Sequence, residues 1–116
     1  MLLSRLGFRY PWLDDRLAEG SVTLIPVQQQ GPMFKRLYHG GGRFTGAISN
    51  VHVGYWMLRR NRLWNDHIHE APIRLDEVAL RLMLPPRHAE LVPLINAELN
   101  RMRESGELEA IIESYQ

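Results

Sequence analysis

Leu91-Val92-Pro93-Leu94-Ile95-Asn96-Ala97-Glu98-Leu99-Asn100-Arg101-Met102-Arg103-Glu104-Ser105-Gly106-Glu107-Leu108-Glu109-Ala110-Ile111-Ile112-Glu113-Ser114-Tyr115 reads as two amphipathic helices joined at a glycine. In the first, Leu91, Leu94, Ile95, Leu99 and Met102 recur at helical spacing with charges between them. Arg101 and Arg103 fall in its last turn, where cations suit the carbonyl end of the helix dipole. Gly106 supplies the left-handed position that closes a helix cheaply. Leu108, Ile111, Ile112 and Tyr115 then repeat at i, i+3, i+4 and i+7 on a shorter helix.

Upstream, helix and strand signals alternate. Pro11 suits a first helical turn, with Asp14 and Asp15 near its positive end and Gly20 to stop it. Val22-Thr23-Leu24-Ile25-Pro26-Val27 reads as a strand that Pro26 confines to a sheet edge or to its own end. A helix begins at Pro32, carries Met33, Phe34, Leu37 and Tyr38, and stops at Gly40-Gly41-Gly42. Residues 44–51 read as a short buried strand, and Ser49 or Asn50 can cap the next helix. That helix holds Val53, Tyr55, Trp56, Met57 and Leu58, apolar nearly all round, which predicts burial on most sides or packing on a second subunit. Residues 61–72 read as a polar loop. Residues 78–84 read as a strand, and Pro85-Pro86 breaks the chain before the final helices.

The alternation predicts an α/β fold with a short parallel or mixed sheet flanked by helices. The expected division is an α/β segment over 1–84 and a helical segment over 85–116. About three strands are foreseen, fewer than the usual four to six, so completion by another chain is expected.

The ending of long helix, Ser-Gly stop and short helix resembles the C-terminus of solute-binding proteins of ABC transporters, in the class that includes polar amino acid binders. Leu6-Gly7-Phe8-Arg9-Tyr10-Pro11 is similar to the turn after the first strand of that family's second lobe. Gly42-Arg43-Phe44-Thr45-Gly46-Ala47-Ile48 is similar to its Gly-Arg-x-Asp-Ala segment. The three matches keep the family order across most of residues 6–115. The resemblance implies an incomplete lobe of a two-lobed, periplasmic-binding-protein-like clamshell, with the first-lobe core missing. It implies binding of a small polar or anionic solute, with no cofactor, no catalysis, and an ABC permease as partner.

It also indicates ligand candidates. Thr45 stands where the family places an acid for the ligand's amino group. Arg9 and Tyr10 stand where it offers a small hydroxyl residue to the ligand carboxylate. A threonine hydroxyl cannot give an ammonium a charge-assisted bond, whereas Arg9 can hold an anion. Asn50, beyond the strand, completes the set.

Composition bounds the function classes. The chain has 116 residues, no cysteine and a formal net charge of +1. That excludes disulfides and thiolate chemistry, and it gives no general field for nucleic acid. No run approaches the ~20 apolar residues of a transmembrane helix. The first residues show neither the apolar region nor the cleavage site of a secretory signal. The periplasmic location that the resemblance implies thus stands beside a cytoplasmic one. A ligand-free dimerisation module or a cytosolic sensor domain are the other readings.

The remaining motifs are weaker. Asp66-His67-Ile68-His69-Glu70 places two imidazoles at i and i+2 beside carboxylates, a divalent-cation pattern without a third fixed ligand. A solvated loop is the better reading of it. Gly40-Gly41-Gly42-Arg43 follows a helix, the wrong polarity for a phosphate loop. His39, His52 and His88 are isolated, and no nucleophile-elbow pattern occurs. Lys35, the single lysine beside thirteen arginines, adjoins Arg36 in what reads as a solvated helix end.

Overall fold

The computed structural model describes residues 1–72 and 74–116, which pack as two compact units, Met1–His69 and Glu70–Gln116. The first unit holds a three-stranded sheet of β1 (Leu2–Arg5), β2 (Leu24–Val27) and β3 (Gly46–Ala47), in the order β2-β1-β3. Both pairings are parallel, with Leu3 opposite Ile25 on one side and Ala47 on the other. A mixed sheet was foreseen as well. The parallel form follows from the connections, because each crossover carries a helix that returns the chain to the same end.

Those crossovers hold α1 (Asp14–Ala18), preceded by a 3-10 turn over Pro11–Leu13, and α2 (Gln30–His39). Pro26 sits on the outer strand β2, as expected. The amides of Leu2 and Leu6 donate to the carbonyls of Thr23 and Val27, so Leu24 and Pro26 turn their backbone groups away from β1. The missing N–H of Pro26 therefore costs the ladder nothing. After α2 the chain turns at Gly40. A Cβ there would lie 2.7 Å from the Arg36 carbonyl oxygen and 2.8 Å from the Phe44 ring.

Leu3, Val27, Met33, Phe34 and Leu58 form the core, where α2 lies on the sheet. Two helices close the unit. In α3 (Val51–Arg59), the Asn50 side chain accepts from the amides of His52 at 3.0 Å and Val53 at 3.3 Å, the expected cap. In α4 (Arg62–His67), the Asn61 side chain accepts from the Trp64 amide. That helix replaces the loop expected over 61–72. Tertiary burial explains it: Trp64 stacks on Phe34 with centroids 6.0 Å apart, and Ile68 also packs against the core.

Two further readings differ from expectation: α3 is not buried on most sides, which leaves its alternative of packing on a second subunit, and the strand over 78–84 does not form. The apolar helix α3 buries only Leu58 among its residues, and Val53, Tyr55 and Trp56 are all exposed at 36% or more. One face meets α2 and α4, and on the outer side the Arg60 guanidinium lies 4.7 Å over the Trp56 ring. Residues 78–84 form no strand, and Leu80 and Met83 are 85% and 88% exposed. Extended apolar sequence becomes a strand only with a partner to pair, and the second unit contains no strand among its described residues.

The second unit comprises a 3-10 turn over Pro86–His88, α5 (Leu91–Ser105) and α6 (Glu107–Ser114). Gly106 joins the helices at φ +77°, the left-handed stop read from the sequence. Residues 70–84 group with these helices rather than with the sheet. Every buried residue among those described belongs to the first unit. Leu94, Ile111, Ile112 and Tyr115 leave the apolar stripes of α5 and α6 exposed.

Candidate functional site

In a parallel α/β layer, ligands bind beyond the carboxyl ends of the strands, where the strand order reverses. Here the chain leaves β1 for β2 on one side and returns past it to β3 on the other, so the reversal falls at β1. Three segments emerge at that edge: residues 6–10 after β1, residues 28–29 leading into α2, and residues 48–50 leading into α3. Gly7 turns the first with φ +87°.

Polar groups bind this edge together. The Arg5 guanidinium donates to the Gln28 carbonyl. The Ser49 hydroxyl lies 3.4 Å from Gln30 Oε1 and 3.2 Å from the Asn50 carbonyl oxygen. Gln29 provides no side-chain cap, and with Pro32 lacking an N–H and the Met33 amide donating to the Gln29 carbonyl, the Gln30 and Gly31 amides are the ones at the start of α2 that can meet an acceptor.

Arg9, Tyr10 and Asn50 lie at this carboxyl edge. Arg9 reaches Asp14 at 4.0 Å with both side chains more than half exposed, a pair loose enough to exchange for a ligand anion. The half-buried Tyr10 ring meets Trp12 edge-on at 5.6 Å. Asn50 spends its carbonyl oxygen on the cap and keeps its amide N–H groups. Thr45 is placed differently. It precedes β3, and its amide donates to the Met1 carbonyl at the opposite, amino edge. The six-residue span from Thr45 to Asn50 crosses the sheet, so the structure does not bring these two together.

Two concave surfaces of the first unit lie elsewhere. A groove of about 790 Å³ runs along α2 and is lined by Gly31, Pro32, Lys35, Arg36, His39 and Trp64. A smaller one of about 290 Å³ is lined by Met1, Ile25, Arg36, Arg43 and Phe44. Arg36 belongs to both. Among the described residues neither Lys35 nor Arg36 has a carboxylate partner. Sequence reasoning passed over this groove, although Gly31, Lys35 and His39 recur at i, i+4 and i+8 beside Pro32 and Arg36.

Charge is divided between the units. Residues 1–69 carry nine Lys and Arg against four Asp and Glu, a net of +5. Residues 70–116 carry five against nine, a net of −4. The whole-chain value of +1 conceals both.

Asp66 and His67 lie in the last turns of α4, with His67 Nδ1 2.9 Å from the Leu63 carbonyl oxygen and the Tyr38 ring against the imidazole. Among the described residues no group of three or more His, Asp or Glu side chains is gathered to hold a metal ion. Among them, too, no helix is long and apolar enough to cross a membrane.

Comparison with protein-family models, curated proteins and solved structures gives no match to this chain.

Proposed function

We propose that this chain binds a small polar or anionic solute, without converting it, at the carboxyl edge of its sheet. The observation that carries the reading is the parallel order β2-β1-β3, which sets Arg9, Tyr10 and Asn50 at one edge with the open start of α2. Arg9 supplies charge for an anion, the α2 amides supply donors, and Tyr10 supplies a flat wall with a hydroxyl. Thr45 contributes no contact in this scheme. An ammonium would find no carboxylate beside it except Asp14, so acids and neutral polar solutes are preferred over amino acids. The edge is shallow without a second wall, so affinity is weak unless another lobe or chain closes over it. Resemblance to the ABC-transporter solute-binding proteins adds delivery to a permease as the physiological setting.

A thermal-shift screen of organic acids, sugars and amino acids tests the proposal. A solute present at about 100 times its dissociation constant adds about 2.7 kcal/mol of stability. Acid-induced shifts that vanish in Arg9→Ala are expected. A shift with a neutral or basic amino acid that survives Arg9→Ala would remove the site from this edge.

A ligand-free assembly module is the second reading. The exposed apolar residues of α3, α5 and α6 favour it.

A further inference from the structure

We infer that the groove along α2 is a docking site for α6 of a second copy of this chain. The inference deepens the assembly reading and is independent of solute binding.

Charge complementarity argues for it first. Two of the six groove residues, Lys35 and Arg36, are cationic, none is acidic, and the unit around them carries a net of +5. The unit that contains α6 carries −4. On α6 itself, Glu109 and Glu113 stand one turn apart on one side of Ile112, and they form no ion pair among the described residues. Opposite fields of this kind steer association and fix orientation.

Shape and polarity agree with the charges. The groove is also lined by Gly31, Pro32 and Trp64, and Trp64 stacks on the buried Phe34. The groove follows α2 from Gly31 to His39, about two helical turns, and α6 spans eight residues, also about two turns. Ile111, Ile112 and Tyr115 are exposed at 44%, 37% and 60%, and Tyr115 stands i+4 from Ile111 and i+3 from Ile112, the spacing of anchors on a helix that seats in a groove. Exchanged reciprocally by two copies, the contact is made twice and closes on itself as a two-fold dimer.

Sedimentation velocity on the full chain, on variants and on their mixtures tests the inference. The wild type is expected to dimerise, and more weakly between about 0.1 M and about 1 M salt, as the screening length falls from about 10 Å to about 3 Å. Lys35→Glu with Arg36→Glu, and separately Glu109→Lys with Glu113→Lys, should each raise the dissociation constant about tenfold. Mixing the two variants should restore a heterodimer, because both of its contacts then pair opposite charges. Circular dichroism checks that each variant remains folded. If the wild type stays monomeric, the assembly reading itself fails, whether or not a labelled oligonucleotide binds through Lys35 and Arg36. If it dimerises but neither charge reversal matters, or the mixture shows no rescue, assembly stands and this interface is overturned.

Discussion

Arg101 and Glu107 face each other across the Gly106 stop, with Nη2 2.9 Å from Oε2, so one guanidinium spans the corner between α5 and α6. The same side chain reaches back to Glu98, its Nε 3.0 Å from each carboxylate oxygen. The second unit has no buried residue among those described, and this exposed triad joins its two helices at the corner.

The triad gives the corner a pH dependence. The hydrogen bond from Arg101, and then its charge, hold the Glu98 carboxyl below its ordinary value. A carboxyl depressed in the folded state stabilises above its unfolded pKa, and that contribution is lost as pH falls through the folded value. Helicity is expected to hold from pH 7 to about 5 and to decline below about 4, the region of an unperturbed glutamate. Arg101→Ala should remove the Glu98 part of that decline. Circular dichroism at 222 nm, titrated with acid, checks both.

Gly40→Ala is expected to destabilise the first unit by about 1–3 kcal/mol. Its φ of −72° suits any residue, so the cost is purely steric. The added Cβ would meet backbone at Arg36 and the Phe44 ring. Urea denaturation followed by tryptophan fluorescence measures it, and an unchanged midpoint would mean that the α2 end has room to shift.

Gly54→Ala should do the opposite. A Cβ in α3 would lie 3.9 Å from the Phe34 ring and 4.0 Å from the Ser49 hydroxyl, ordinary contacts both. Removing a glycine from a helix interior then adds about 0.5–1 kcal/mol. A higher melting temperature is the expected reading.

Phe34→Ala and Ile111→Ala separate core from surface. Phe34 is 4% exposed, and its truncation should cost about 3–5 kcal/mol. Ile111 is 44% exposed, so its truncation should change monomer stability by no more than about 0.5 kcal/mol. A much larger effect of Ile111→Ala at high protein concentration than at low would place that side chain at an interface between copies.

Features decided within a few residues were the legible ones. Gly106 and the Asn50 cap need only their own backbone, and the strand at Leu24–Val27 and the helix through Met33 and Phe34 declare themselves by pattern. What depended on distant partners was missed. Helix α4 exists because Trp64 finds Phe34, thirty residues away in sequence. Residues 78–84 carry a strand pattern, but a strand is a relationship and not a composition. The candidate edge was only partly legible: motif order gathered Arg9, Tyr10 and Asn50, but it included Thr45, which only the sheet's polarity separates from them. The α2 groove was hidden by two unit charges that cancel in the sum.

Pro26 does more than tolerate its place on β2. A chain of sheets stacked edge on edge needs two pairing rims per molecule, and here one rim lacks an outward donor at its middle. Propagation in that direction is interrupted at its first member, while the β3 rim carries no such block. The molecule is thereby biased towards finite pairs and away from fibres, a safeguard of some value to a chain with this much exposed apolar surface. Pro26→Val should shorten the lag of thioflavin-detected aggregation at equal stability, and an unaltered lag would show that the rim is guarded by something else.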